Sequence, residues 1–381
     1  MRYRHLPWSS GLRRQRGAAF LILVLMIGLI AASMIVTAAP STNASLASAE
    51  KTAKALATAR EALMAFAVSV SDSARPGDLP CPATDFSTGI AGSCSTSALR
   101  VGYLPWKTLG LPDLRDGSGA PLIYAVSNVF KNNPRLSYPS GIINSDISGE
   151  FSVAGENAIA IVFAPGAPIG NQDRSVTTFN VANFLELGNA DGNTTFVNSP
   201  EASDFNDRLL WITPRAFFPP LELRVSRLAQ EKLLNYFSIT GRFPYADQYL
   251  GGASCRTFSG GRVPYYGSSC LPSGNGAAFG AWTTSWPTWF WDNYWDYVIH
   301  YAPAQKCVTN PGTICGGGGS YLTVDAQTNI RALLIRQGIP NGQSRPCSLV
   351  SQCLDDTENG DSDTIYITPV AGNDRMTIVS P

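Results

Sequence analysis

Arg13–Ala39 reads RRQRGAAFLILVLMIGLIAASMIVTAA, and the rest of the chain is organised around it. Behind a basic cluster and Gly17, the run from Ala18 to Ala39 holds no charged side chain. A helix rises about 1.5 Å per residue, so about 20 apolar residues suffice to cross a bilayer core, and the run predicts a transmembrane helix. Arg2, Arg4, Arg13, Arg14 and Arg16 precede it, and the first acidic residue is Glu50. Positive charge stays on the cytoplasmic side, which places everything after Ala39 across the membrane.

A basic leader, a glycine and an immediate apolar helix resemble the start of a type IV pilin or type II secretion pseudopilin. In that family a membrane-bound prepilin peptidase cuts after the glycine and methylates the new amino terminus. The resemblance implies that Gly17 ends the leader and Ala18 begins the mature chain. It also implies other pilins or pseudopilins and an inner-membrane assembly platform as partners, engaged through the N-terminal helix. The family usually carries Phe or Met first and Glu fifth; here those positions are Ala18 and Ile22. The family's glutamate pairs with the terminal amine of the subunit above it in the filament core. Ile22 therefore implies a minor subunit at the tip, which needs no partner above. Two other readings stand beside this one. A secretory signal would end at Ala47-Ser48-Ala49, although the apolar run exceeds the roughly 7–15 residues of such signals. A plain membrane anchor is the other.

Of the 381 residues 44% are hydrophobic and 15% charged, and the formal net charge is zero. Beyond the leader there is no basic tract, so nucleic acid is not an expected partner. All 8 cysteines follow the apolar run: Cys81, Cys94, Cys255, Cys270, Cys307, Cys315, Cys347 and Cys353. An even count on the oxidising side of a membrane reads as disulfides, and pairing neighbours is the simplest of many connectivities. Zinc is the rival, but no CxxC occurs and the only histidines are His5 and His300.

Pro40 is expected to end or kink the membrane helix, since it lacks an N–H and crowds the preceding turn. Leu46–Val70 is rich in Ala, Leu, Lys and Glu, with Leu56, Leu63 and Val70 at heptad spacing, and predicts an amphipathic helix. Arg75-Pro76-Gly77-Asp78 stops it. Asp116-Gly117-Ser118-Gly119-Ala120-Pro121-Leu122-Ile123-Tyr124 resembles the pseudopilin turn into a strand, with Ser118 where that family has tryptophan. Ala158–Phe163 and Arg208–Thr213 read as further strands, and residues 166–203 as an extended loop.

Five elements recur in order. Ala59–Phe66 matches Ala229–Tyr236; Cys81 and Cys94 match Cys255 and Cys270; Leu122–Val126 matches Tyr294–Tyr301; Phe151–Phe163 matches Tyr321–Ile335; and Trp211-Ile212-Thr213-Pro214 matches Tyr366-Ile367-Thr368-Pro369. The expected fold class is therefore α+β, with a long N-terminal transmembrane helix followed by two pilin-like modules. Each module would pack a helix on a small antiparallel sheet. The boundaries are a leader over 1–17, the N-terminal helix over 18–70, a first module over 71–220 and a second over 221–381, joined at Phe217-Phe218-Pro219-Pro220.

No grouping of residues suggests catalysis. His300 follows a strand-like Tyr297-Val298-Ile299, and Gly316–Gly319 lacks the Lys-Ser/Thr that phosphate binding requires. A structural, non-enzymatic subunit follows. Trp282, Trp286 and Trp289 open an aromatic cluster that, if exposed, would mark a surface for glycans or another protein. That is the alternative function: a membrane-anchored or secreted binding protein. Asp355–Asp363 gathers five carboxylates in nine residues, a candidate calcium loop with Asp361 and Asp363 as first ligands. A solvated acidic loop is the plainer alternative. Asp204, Asn206 and Asp207 stand at the place read as corresponding in the first half.

Overall fold

The computed structural model describes residues 40–71, 74–94, 100–175, 178–249, 255, 260–265, 270, 280, 282, 284–308, 315–361 and 363–381. Gly17, Ala18 and Ile22 lie outside the described residues. The chain divides into two units, Met1–Lys51 and Thr52–Pro381.

Helix α1 spans Pro40–Ser69. Ala55, Leu56, Ala59, Leu63 and Ala67 are buried along one stripe, the three-and-four spacing that puts side chains on one helix face. Among the described residues no helix is long and apolar enough to cross a membrane. The expected architecture is thereby corrected. The described chain is mixed α+β with four small sheets, not a transmembrane helix followed by modules of one sheet each.

The first half contributes strands β1 (Val101–Tyr103), β2 (Ile123–Val126), β3 (Phe151–Val153), β4 (Glu156–Ala158), β5 (Ala160–Ala164), β6 (Thr195–Phe196) and β7 (Arg208–Ile212). One sheet runs β1-β2-β5-β7, antiparallel throughout. The other runs β4-β3-β6, with β3 and β6 parallel. Side chains alternate across a strand. Tyr124, Val126, Ala160 and Val162 therefore join the helix-side core, while Ile123, Ala125, Ile161 and Phe163 form a second core with Phe151 and Phe196.

Helix α2 (Pro214–Thr240) follows β7 across a single residue, Thr213. The Thr213 side chain caps the helix by accepting from the Ala216 N–H, and Gly241, at φ 71°, ends it in the left-handed region. Phe217-Phe218-Pro219-Pro220 lies inside this helix, so the expected junction is not a linker. The second half adds β8 (Gly261–Arg262), β9 (Ile299–Pro303), β10 (Leu322–Val324), β11 (Gln327–Ile330), β12 (Ala332–Arg336), β13 (Ile365–Tyr366) and β14 (Arg375–Ser380). Its sheets run β8-β9-β12-β14 and β11-β10-β13, with β10 and β13 parallel. The topology of the first half thus recurs strand for strand.

The halves share one core. Phe130 of the first half packs edge-on against Phe217 of α2 at 5.5 Å, and Gln230 further along α2 donates to the Ile378 carbonyl of β14. Polar contacts stitch the same seam. Asn293 Oδ1 accepts from the Ile143 N–H at 2.8 Å, and Arg345 pairs with Asp146 at 3.0 Å.

The eight cysteines form four disulfides between neighbours: Cys81–Cys94, Cys255–Cys270, Cys307–Cys315 and Cys347–Cys353. Cys81 and Cys94 are 13 residues apart. Closing such a loop constrains the unfolded chain by about 3 kcal/mol. Replacing both by serine is expected to lower urea stability by that amount. Because the core is shared, fluorescence and far-UV dichroism should still report one coincident transition.

Candidate functional site

The acidic loop is shaped by its own backbone contacts. Asp356 caps the one-turn helix Thr357–Gly360, its Oδ1 accepting from the Glu358 N–H at 2.9 Å. Asn359 is buried and brackets Ile367, donating to its carbonyl and accepting from its N–H, both at 2.9 Å. Asp361 Oδ1 accepts from the Asp363 N–H at 3.1 Å, and Asp363 Oδ1 from the Ile365 N–H at 2.6 Å. Such Asx turns lead the chain into β13.

The same ladder stands in the first half. Asn189 brackets Val197 through bonds of 3.1 and 2.7 Å, Asp191 accepts from the Asn193 N–H, and Asn193 accepts from the Thr195 N–H ahead of β6. Asp191 and Asn193 are therefore the counterparts of Asp361 and Asp363. Asp204, Asn206 and Asp207 are not, and that part of the sequence reading is corrected. Asn206-Asp207-Arg208 instead leads into β7 as Asn373-Asp374-Arg375 leads into β14.

Glu358, Asp361 and Asp363 can each bring a carboxylate oxygen within 4.8 Å of the others. Hard cations favour such oxygens, but calcium takes roughly six to eight of them. The three carboxylates offer one side of a coordination shell, and Asp361 and Asp363 are exposed. At the equivalent first-half positions stand Gly188, Asp191 and Asn193, a weaker donor set.

The aromatic cluster is not a surface. Trp282, Trp286 and Trp289 are at most 6% exposed, which overturns their reading as a ligand platform. Trp282 packs against Tyr236 of α2 at 5.3 Å and against Trp286 at 5.1 Å, and its indole N–H donates to the Pro264 carbonyl. The strand expected over Tyr294–Tyr301 begins only at Ile299, behind a helical turn over Trp295–Val298. His300 is fully buried in β9, where its Nδ1 meets the Tyr249 hydroxyl at 3.1 Å. It is a core histidine.

Two groupings escaped the sequence reading: buried Asp207 beside Glu186, and buried Asp374 beside Asp355. The repeated Asn-Asp-Arg triplet is the signal that marks them. Burial pushes the Asp207 carboxyl up to about 8 and that of Asp374 up to about 7. Compared with known proteins, the chain matches no family model, no curated protein and no solved structure.

Proposed function

We propose that this chain is a structural, non-enzymatic minor pilin or pseudopilin. It is processed after Gly17, joins other pilins or pseudopilins through its N-terminal segment, and sits at the filament tip of a type IV pilus or type II secretion machine. Before assembly it resides at the bacterial inner membrane with the remainder of the chain in the periplasm. The observation that carries this reading is the sequence Arg13–Ala39, with its basic residues, Gly17 and uncharged run. The two halves add to it: in each, a long helix precedes a small antiparallel sheet. Four disulfides suit an oxidising compartment. Ile22 supports the tip position, because an apolar side chain gives no counter-charge to the amine of a subunit above it.

Processing is the direct test. In a host with prepilin peptidase, N-terminal sequencing of the mature protein is expected to start at Ala18, carrying a methyl group. A start at Glu50 would assign a secretory signal, and a start at Met1 would leave the chain unprocessed; either removes the reading.

A further inference from the structure

The buried carboxyls ahead of β7 and β14 each accept from the backbone N–H of another acidic residue. Asp207 Oδ2 accepts from the Glu186 N–H at 3.0 Å and from Asn189 Nδ2 at 2.9 Å. Asp374 Oδ2 accepts from the Asp355 N–H at 2.7 Å. The neighbouring carboxylates each hold a donor on both oxygens, with lone pairs left to accept a further proton. Glu186 accepts from Gln172 Nε2 and the Asn206 N–H, one on each oxygen. Asp355 likewise accepts from Gln343 and from the Asn373 N–H. In each half one oxygen is left over: Asp207 Oδ1 and Asp374 Oδ1 are buried with no hydrogen-bond partner, in residues 2% and 0% exposed. An ionised carboxylate buried beside another carboxylate would need a donor or cation at that oxygen.

We infer that Asp207 and Asp374 are held as neutral carboxylic acids with the proton on Oδ1, making the turns ahead of β7 and β14 a pair of proton-dependent latches. Each latch ties the last strand of its main sheet to the segment that ends in the bracketing asparagine, Asn189 or Asn359. Losing the proton sets two adjacent charges against each other in a buried site, and the turn opens.

The charges facing each latch leave the proton in place. Around Asp207 stand Glu186, the Arg174 guanidinium, which is spread over backbone carbonyls and Gln172, and Arg208, which is exposed and paired with Glu201. Around Asp374 stand the Asp355 carboxylate, the backbone N–H of Asp356, the Tyr249 hydroxyl, the exposed Arg375, and Arg345, whose guanidinium is engaged by Asp146 and two carbonyls. Both acids are raised above the ordinary 3.8, so their contribution to stability is full below about pH 4. It is lost as pH climbs through about 7 for Asp374 and about 8 for Asp207.

Amide hydrogen exchange on the full chain between pH 5 and 9, corrected for intrinsic rates, tests this. Protection of the peptide spanning 184–190 is expected to fall by up to about ten-fold per pH unit below pH 8. Asp207→Asn, which places a permanent donor at that oxygen, should keep the protection at pH 9 and leave the 353–360 peptide titrating. Asp374→Asn should do the converse. Glu222 and Asp296 are also raised by burial, so the difference between variant and parent carries the test. Unchanged pH dependence in either variant overturns the inference. So does protection that follows added calcium and chelator at fixed pH, which would assign the carboxyls to a cation. If neither variant folds at pH 5, the carboxyls are ionised acceptors and the inference fails.

Discussion

Replacing Arg345 by alanine is expected to cost about 3–5 kcal/mol and to unfold both halves together, the cost of stranding a buried partner charge. Its guanidinium is almost wholly buried; it pairs with Asp146 and donates to the Gly338 and Gln337 carbonyls at 2.6 and 2.9 Å. Asp146 comes from the first half and the two carbonyls from the second. Buried Glu222 of α2, raised by desolvation to about 7, also leans on the charge of Arg345 and of Arg336. One deletion therefore leaves Asp146 without its counter-charge and takes from Glu222 the lesser of its two, Arg336 remaining. Urea denaturation followed by tryptophan fluorescence, which reports on Trp106 and Trp211 of the first half and five indoles of the second, and by near-UV dichroism should give coincident curves. Two separated transitions would show that the halves fold independently.

Trp282→Ala is expected to cost about 3–5 kcal/mol through the cavity it leaves, with no compensating collapse among rings already in contact. Trp282 is 1% exposed and touches both Tyr236 and Trp286. Thermal unfolding monitored by dichroism would measure the loss. A near-neutral result accompanied by lost affinity for a glycan or protein would restore the surface reading that burial overturns.

The two substitutions mark where the sequence speaks and where it is silent. Neighbour pairing of the cysteines was readable because short separations place both partners on one loop. Recurrence was readable too, but its register was not. Trp211-Ile212-Thr213-Pro214 looks like Tyr366-Ile367-Thr368-Pro369, yet β7 is matched in the sheet by β14, where Met376-Thr377-Ile378-Val379 share little with Leu209-Leu210-Trp211-Ile212. A buried strand needs only apolar bulk on the inward face, so its letters drift. The neighbouring Asn-Asp keeps its letters because Asn206 and Asn373 donate to backbone carbonyls and Asp207 and Asp374 accept from backbone N–H groups. The stretch over 166–203, expected to be an extended loop, holds two short 3₁₀ turns, Val181–Asn183 and Leu187–Asn189, besides β6. Turns of that length carry no periodicity to detect. The indoles misled for a different reason: composition shows that tryptophans cluster, but only the fold shows which way they face.

Thr213 is all that separates the last strand of one sheet from the helix that packs on the next. Domains joined by an exposed linker move relative to one another by default. Here β7 enters α2 at once, and that helix touches Phe130 at its start and β14 further along. A pull applied to either half would be delivered to the other within a few helical turns, before any slack was taken up. The recurring topology is thereby held on one core rather than strung out in series.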